Sequence, residues 1–155
     1  LFSKKNKKPY YWILDRIVIV VALGGFFIRM GNLMNSEIFG EPTTLPWGFI
    51  FTSYDQIPRH PTQLYEALSY LAIFGFLYWY YWKTDGKPRP GFMFGLFLLV
   101  LFLVRFLIEF VKEPQVPFET NMALNMGQLL SIPFILIGLW IIYKSRSNAS
   151  QMKQT

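Results

Sequence analysis

Two arginines with polar companions interrupt the apolar stretches of this chain, and they are the residues best suited to chemistry. Arg29 follows the apolar run 17–28, and Arg105 lies within the run 92–111. Amides and carboxylates accompany both arginines: Asn32, Asn35 and Glu37 after the first, and Glu109 after the second. An arginine at the centre of a membrane helix costs about 2.5–3.5 kcal/mol, so such residues usually face a cavity, a partner or a ligand. The two clusters therefore predict an anion-binding site inside a membrane protein.

The composition also places the chain among membrane proteins. Of its 155 residues, 53% are hydrophobic and 19% are aromatic, more than an ordinary soluble domain contains. The chain has no cysteine and only one histidine, which excludes disulfides, thiolate metal sites and a cysteine nucleophile within it. Because histidine and the acidic residues do not cluster at ligand spacing, we expect no metal and no other cofactor.

The formal net charge of +6 favours contact with anionic lipid over nucleic acid. The basic residues lie between the apolar runs, whereas a nucleic-acid surface would place them along one polar face. Lysines and arginines beside membrane spans attract anionic headgroups. We therefore expect membrane lipid as a partner and no nucleic acid.

Four apolar segments reach the length of about 20 residues that a helix needs to cross the hydrocarbon core. They are 11–30, 62–82, 91–111 and 125–143. The pattern predicts an all-α, polytopic membrane protein with four transmembrane helices in residues 1–143. The expected connections are a Pro-rich loop at 31–61, a second loop around 114–121, and a polar, disordered tail at 144–155.

The distribution of basic residues predicts how this bundle is oriented. Eleven of the 15 lie before or at the start of the first segment, between the second and third, or after the fourth, all on one side of a four-helix bundle. The positive-inside tendency makes that side cytoplasmic, with loops 31–61 and 112–124 outside. The remaining four basic residues lie towards the outer side: Arg29, Arg59, Arg105 and Lys112.

Further polar residues gather at the same depth as the two arginines. Gln63, Tyr65 and Glu66 open the second segment from the outer side, and Gln128 opens the fourth. At a rise of about 1.5 Å per residue, both arginines also fall in the outer half of the membrane. This convergence predicts a site at the depth of the outer-leaflet headgroups.

Four short motifs formed by these residues resemble those of one family. The motifs are Arg29-x-Gly31-Asn32-x-x-Asn35-x-Glu37-x-x-Gly40, His60-Pro61-Thr62-Gln63-Leu64-Tyr65-Glu66, Arg105-Phe106-x-x-Glu109-Phe110 and Gly127-Gln128-x-x-Ser131-x-Pro133. Their order is that of bacterial prolipoprotein diacylglyceryl transferases, and the resemblance covers about residues 13–143, the later part of a seven-helix enzyme. The family's early helices, with a His-Gly-Gly motif, have no counterpart here, and His60 does not replace that histidine.

The resemblance implies transfer of the sn-1,2-diacylglyceryl group from phosphatidylglycerol to the lipobox cysteine thiol of a preprolipoprotein, with release of glycerol phosphate. This reaction is the first step of bacterial lipoprotein maturation. The implied partners are phosphatidylglycerol and the preprolipoprotein signal peptide that carries the lipobox. The implied location is the bacterial cytoplasmic (inner) membrane, with a multi-pass chain and an active site facing the outer leaflet. Without the early helices, we expect the 155-residue fragment to be inactive alone.

The candidate residues suit this chemistry. We assign catalytic roles to Arg105, Glu109 and Glu37. We assign phosphatidylglycerol binding to Arg29, Asn32, Asn35, Gln63, Tyr65, Glu66 and Gln128. Arginine offers phosphate oxygens a rigid fork of donors and stays protonated, whereas lysine offers a point charge.

Specific contacts are expected around the two arginines. We expect Asn32 and Glu37 to hold Arg29. We expect Glu109, one helical turn after Arg105, to orient that second arginine. The attacking thiol has a free pKa of about 8.5, so a base or a cationic field must favour the thiolate. The base stays open among three carboxylates: Glu37, Glu66 and Glu109.

Simpler interpretations stay open beside the catalytic one. An Arg–Glu pair inside a membrane can serve as a structural clamp alone. Asn32 and Asn35 can join helices by hydrogen bonds. The competing function is a non-catalytic subunit that binds or transports an anionic lipid, which requires charge but no candidate base.

Overall fold

Four helices make up most of the chain in a computed structural model that describes residues 9–112 and 124–151, with side chains up to 147. They are α1 (Tyr10–Met34), α2 (Thr62–Lys83), α3 (Phe92–Ile108) and α4 (Met126–Gln151). A 3₁₀ turn, Glu109–Val111, continues α3, and a small antiparallel hairpin pairs β1 (Phe49–Ile50) with β2 (Pro58–Arg59). The predicted all-helical architecture is confirmed, and the hairpin within loop 31–61 is an addition to it.

Three of the helical segments are long and apolar enough to cross a membrane: Tyr10–Met34, Phe92–Val111 and Met126–Ser147. Helix α2 has 22 residues but does not reach the same hydropathy. Gln63 and Glu66 lie in its first turns, and tyrosines and tryptophans fill residues 78–82. The prediction of long apolar helices is therefore confirmed for three segments, and the membrane crossing of α2 stays a prediction.

The last helix is longer than predicted. The predicted fourth segment ends at residue 143, but α4 continues to Gln151, so the prediction of a disordered tail is wrong for residues 144–151. Ser and Arg side chains there end the apolar pattern without ending the helix, because backbone hydrogen bonds continue to form once a helix is nucleated. Residues 152–155 and the predicted loop around 114–121 lie outside the described residues.

Small residues allow α3 and α4 to pack closely. A Cβ atom on Gly95 would lie 3.0 Å from the carbonyl oxygen of Gly138, and one on Gly138 would lie 2.8 Å from the backbone nitrogen of Leu99. Glycine faces of this kind bring membrane helices into backbone contact. The buried apolar core lies beside this contact and includes residues from all four helices: Val18, Ala22, Ile73, Leu77, Met93, Phe97, Leu98 and Ile141.

A buried carboxylate joins α1 to the start of α3. Asp15 accepts hydrogen bonds from the backbone N–H groups of Gly91 at 2.7 Å and Phe94 at 2.9 Å. It thereby satisfies donors that the first turn of α3 leaves unpaired and places negative charge at the positive end of the helix dipole. Arg16 next to it donates to the carbonyl of Gly86 at 2.7 Å. These contacts fix α1 and α3 relative to each other at the end opposite the two candidate arginines.

The loop after α1 ties the other ends of the helices together. The Gly40 N–H donates to His60 O at 2.9 Å, and the Glu41 N–H donates to Val111 O at 3.0 Å. A Cβ atom on Gly40 would collide with Val111 O and would lie 2.7 Å from the His60 Cβ, so only glycine fits at this crossing. The end of α1 and the starts of α2 and the 3₁₀ turn therefore meet in one place.

An ion pair holds the hairpin in this loop. Arg59 donates to Asp55 Oδ2 from Nε at 3.1 Å and from Nη2 at 2.7 Å. These hydrogen bonds lower the pKa of Asp55. Because a lowered carboxyl pKa contributes stability above the unfolded pKa, the pair is intact at neutral pH and is lost as the pH falls through the lowered value.

Candidate active site

A buried cluster of four charged side chains lies where α1, α2 and the 3₁₀ turn meet. Arg29 Nε is 2.5 Å from Glu66 Oε2. Lys112 Nζ is 3.7 Å from both Glu66 Oε1 and Glu109 Oε2. The side chains of Arg29, Glu66, Lys112 and Glu109 are only 12%, 5%, 4% and 9% exposed. We call these four residues the charged cluster.

The charged cluster balances two cations against two carboxylates. Removing such groups from water is expensive, and their mutual attraction offsets that cost only when the pairing is complete. Glu66 is the central member, because it contacts both Arg29 and Lys112. In the described part of the chain, Glu66 Oε1 and Glu109 Oε2 have no hydrogen-bond donor, so both oxygens keep the capacity to accept a proton or a hydrogen bond.

Arg105 lies beside this cluster, and within the described residues its positive charge has no acidic partner. It lines a small pocket together with Glu66, Ser69 and Tyr70. Among residues 9–112 and 124–147, none forms a hydrogen bond or an ion pair with it. No described acceptor therefore uses its guanidinium donors. An anion-binding site requires donors that are available in this way.

Glu109 pairs with Lys112 and not, as predicted, with Arg105. The prediction assumed a regular α-helix, in which residues four apart share one face. The chain tightens to a 3₁₀ turn at Glu109–Val111, where residues three apart are aligned. The turn aligns Glu109 with Lys112, three residues later, and Arg105 lines the pocket instead.

Arg29 also has a different partner from the one predicted. It reaches across to Glu66 on α2, and the described contacts do not join it to Asn32 or Glu37. Those two residues form a hydrogen bond with each other, from Asn32 Nδ2 to Glu37 Oε2 at 3.1 Å. Asn35 is the exposed residue that ends α1. The Glu37 side chain is exposed and does not line the Arg105 pocket. Its catalytic role stays a prediction.

Two predicted lipid-binding residues at the start of α2 contact the loop that follows α1. Gln63 is buried and donates from Nε2 to the backbone carbonyl of Glu37 at 2.6 Å. The Tyr65 hydroxyl lies 3.1 Å from Trp47 Nε1 and 3.2 Å from His60 Nδ1. His60 thus belongs to an aromatic group with Tyr65 and Trp47, and its non-catalytic role stays a prediction.

Gln128 has a structural contact at the start of α4. Its Oε1 accepts the Asn125 N–H at 3.2 Å, and Asn125 Oδ1 accepts the Gln128 N–H at 3.0 Å. This reciprocal pattern is a capping box, which satisfies backbone donors of the first turn. Asn125 also donates from Nδ2 to the backbone carbonyl of Glu109 at 3.2 Å, so the cap holds α4 against the charged cluster.

Gly127 leaves room for the Glu109 carboxylate. A Cβ atom at this position would collide with that carboxylate, whereas one on Gly24 or Gly75 would meet nothing within 4 Å. Gly127 thus sets the approach of α4 to the cluster. The sequence motif includes Gly127 but does not reveal this close contact with Glu109. Lys112 was predicted only to be a basic residue on the outer side. The spacing of Lys112, three residues after Glu109, was the available signal.

Apolar helices of membrane length enclosing paired charges define a helical membrane protein with an internal polar site. The family model described as prolipoprotein diacylglyceryl transferase matches residues 1–144, and the chain belongs to this family. The resemblance predicted from the four motifs is therefore confirmed.

Similar proteins named phosphatidylglycerol–prolipoprotein diacylglyceryl transferase occur in several bacteria. The one from Porphyromonas gingivalis is 46% identical over 99% of this chain and 59% of its own length. The Bacteroides fragilis protein is 46% identical over 92% of this chain and 52% of its own length. The Tolumonas auensis protein is 48% identical over 94% of this chain and 56% of its own length. The chain thus spans about half the length of the curated relatives it matches.

Proposed function

We propose that the protein containing this chain transfers the diacylglyceryl group of phosphatidylglycerol to the lipobox cysteine of a preprolipoprotein. Two kinds of support agree. The chain is 46% identical, over almost all its length, to a relative named for these substrates. The observation that carries the proposal is Arg105, which has no described acidic partner and lines a pocket with Glu66, beside a cluster whose other charges are balanced.

The arrangement suits displacement of a phosphate leaving group. The cysteine sulfur attacks the glycerol carbon that bears the phosphate ester, and the carbon–oxygen bond breaks. The electron pair goes to the phosphate oxygen, so glycerol phosphate leaves and a thioether forms. Arg105 stabilises the developing charge with its fork of donors, and a preorganised donor in a dry site contributes about 2.7–4 kcal/mol to such a step. Arg29, engaged by Glu66, supplies fixed positive charge nearby.

The thiol proton requires an acceptor at the same place. Glu66 and Glu109 each keep one buried oxygen without a described donor, and Glu66 lines the Arg105 pocket. We assign the proton to this pair of carboxylates. The net positive charge that Arg105 adds to the cluster also favours the thiolate over the thiol. A subunit that only conducts lipid would need the arginine but no carboxylate oxygen that is free to accept a proton.

We place the site on the outer side of the bacterial cytoplasmic membrane, with all four helices crossing it. The support is the excess of basic residues at the end of the bundle that holds Lys83, Lys87 and Arg89, opposite the charged cluster. Because this chain contains no cysteine, single cysteines can report the topology. We expect an impermeant maleimide added from the periplasm to label Ser53→Cys and not Ser147→Cys. The reverse labelling pattern would contradict this orientation.

Product analysis tests the proposed reaction. We expect the full-length protein in phosphatidylglycerol nanodiscs to convert a lipobox peptide into a thioether-linked diacylglyceryl peptide, with one glycerol phosphate released per peptide. Mass spectrometry of the peptide and of the small-molecule fraction measures both products. A lipobox peptide with Ser in place of Cys is the matched control and should stay unmodified. Lipid binding without either product would favour the lipid-transport alternative.

A further inference from the structure

An apolar groove runs between α2 and α3, below the Arg105 pocket. Its volume is about 370 Å³, within the range of about 300–1,000 Å³ typical of ligand sites. Ala72, Phe76 and Leu77 line it from α2, and Leu96 and Val100 line it from α3. The groove has no assigned role in the reaction proposed above.

The groove is continuous with the charged site. Ser69, Ile73 and Val104 line both the groove and the pocket that contains Glu66 and Arg105. Ser69 is the last polar residue on this path, and its hydroxyl already donates to the Tyr65 carbonyl at 2.8 Å. Beyond Ser69 the lining is hydrocarbon only. A ligand in both spaces must therefore have an anionic head and an apolar tail.

The length of the groove matches one membrane leaflet. From Glu66 to Leu77 the path follows α2 for about 16 Å, at about 1.5 Å per residue. Half of the hydrocarbon core is about 15 Å thick. Glu66 lies in the first turns of α2, and Leu77 lies six residues before this helix ends. The charged and apolar ends of the path are therefore separated along the helix axis, as the headgroup and tail of a phospholipid are.

We infer that this groove binds one acyl chain of the phospholipid whose phosphate contacts Arg105, an inference that rests on the proposed function. Moving an acyl chain from the bilayer into the groove yields no hydrophobic gain, since both environments are apolar. The groove therefore acts through shape. It aligns the glycerol backbone with Arg105 and Glu66, and it selects chains that fit between Phe76 and Val100.

Filling the groove tests this inference in the full-length protein. We expect Val100→Trp to shift the ratio of rates with dilauroyl and dipalmitoyl phosphatidylglycerol by about tenfold towards the shorter lipid, since overpacking costs about 1–3 kcal/mol. Leu103→Trp is the matched control, on the same helix but 44% exposed and outside the groove. It should leave the ratio unchanged. Equal changes with both lipids, or the same shift in the control, would overturn the inference.

Photo-crosslinking tests the groove without measuring turnover. It uses the wild-type protein, so it does not require that the Val100→Trp variant folds. Wild-type protein is irradiated with phosphatidylglycerol that carries a diazirine near the end of one acyl chain. We expect peptides containing Leu77 or Leu96 to be labelled more strongly than the peptide containing Leu103. Uniform labelling of all exposed apolar residues would contradict the groove. If the wild type makes no thioether product, the proposed function fails. The labelling pattern then still shows whether the groove binds an acyl chain.

Discussion

Replacing Arg105 with lysine is expected to lower turnover about 100-fold, because loss of one preorganised donor to a developing anion costs about 10²–10³ in rate. Lysine keeps the charge but loses the planar fork that binds two phosphate oxygens at once. The structure adds a second expectation. Since Arg105 makes no ion pair with a described residue, the substitution should change the thermal stability little. Initial rates per folded molecule, measured in phosphatidylglycerol nanodiscs, check the first expectation.

Arg89→Lys is the matched control for Arg105→Lys. Arg89 is exposed beside the opposite end of α3, so the same change of side chain there should leave turnover unaffected. A structural clamp would give the opposite result for Arg105, with near-normal turnover in the lysine variant and a fall in protein abundance when alanine replaces the arginine. Near-wild-type rates for Arg105→Lys would therefore contradict a role in phosphate binding.

Replacing Glu66 with glutamine is expected to destabilise the protein by about 3–5 kcal/mol, since breaking a buried ion pair leaves uncompensated charge. Glu66 separates Arg29 from Lys112, and without its charge the two cations face each other in a buried site. The additional change Lys112→Met should restore part of the lost stability by removing one cation. Thermal unfolding of the purified single and double variants measures this coupling.

Glu41→Gln is the control for Glu66→Gln. Glu41 lies in the loop between α1 and α2 and its side chain is exposed, so loss of its charge should change stability within about 0.5 kcal/mol. Additive effects of the Glu66 and Lys112 substitutions would show that the two side chains do not interact. That result would contradict the arrangement of the charged cluster.

The sequence predicted the elements well because membrane length is a strong constraint. The starts of the predicted segments lie within one residue of the starts of α1, α2, α3 and α4. The end of α4 was missed because residues 144–151 carry no apolar signal, although the backbone continues as a helix. The hairpin was missed because its strands are two residues long and show no alternating pattern.

Most members of the site were predictable, but Lys112 and the pairing of the charges were not. A polar side chain in an apolar run is visible in the sequence, and this signal identified Arg29, Glu66 and Arg105. Which side chains meet depends on how the helices rotate about their axes and where their pitch changes. The Arg29–Glu66 pair joins residues far apart in the chain. The 3₁₀ turn aligns Glu109 with Lys112, so these two side chains pair.

Retention of phosphatidylglycerol by the unreacted protein tests the central claim, that Arg105 binds the lipid phosphate, most directly. Wild-type, Arg105→Gln and Arg89→Gln proteins are taken from identical nanodiscs without peptide substrate, and native mass spectrometry measures the lipid each retains through graded delipidation. A charge-assisted hydrogen bond contributes about 1.5–3 kcal/mol, so we expect Arg105→Gln to retain phosphatidylglycerol at least about tenfold less tightly than the other two. Equal retention by all three proteins would contradict phosphate binding at Arg105.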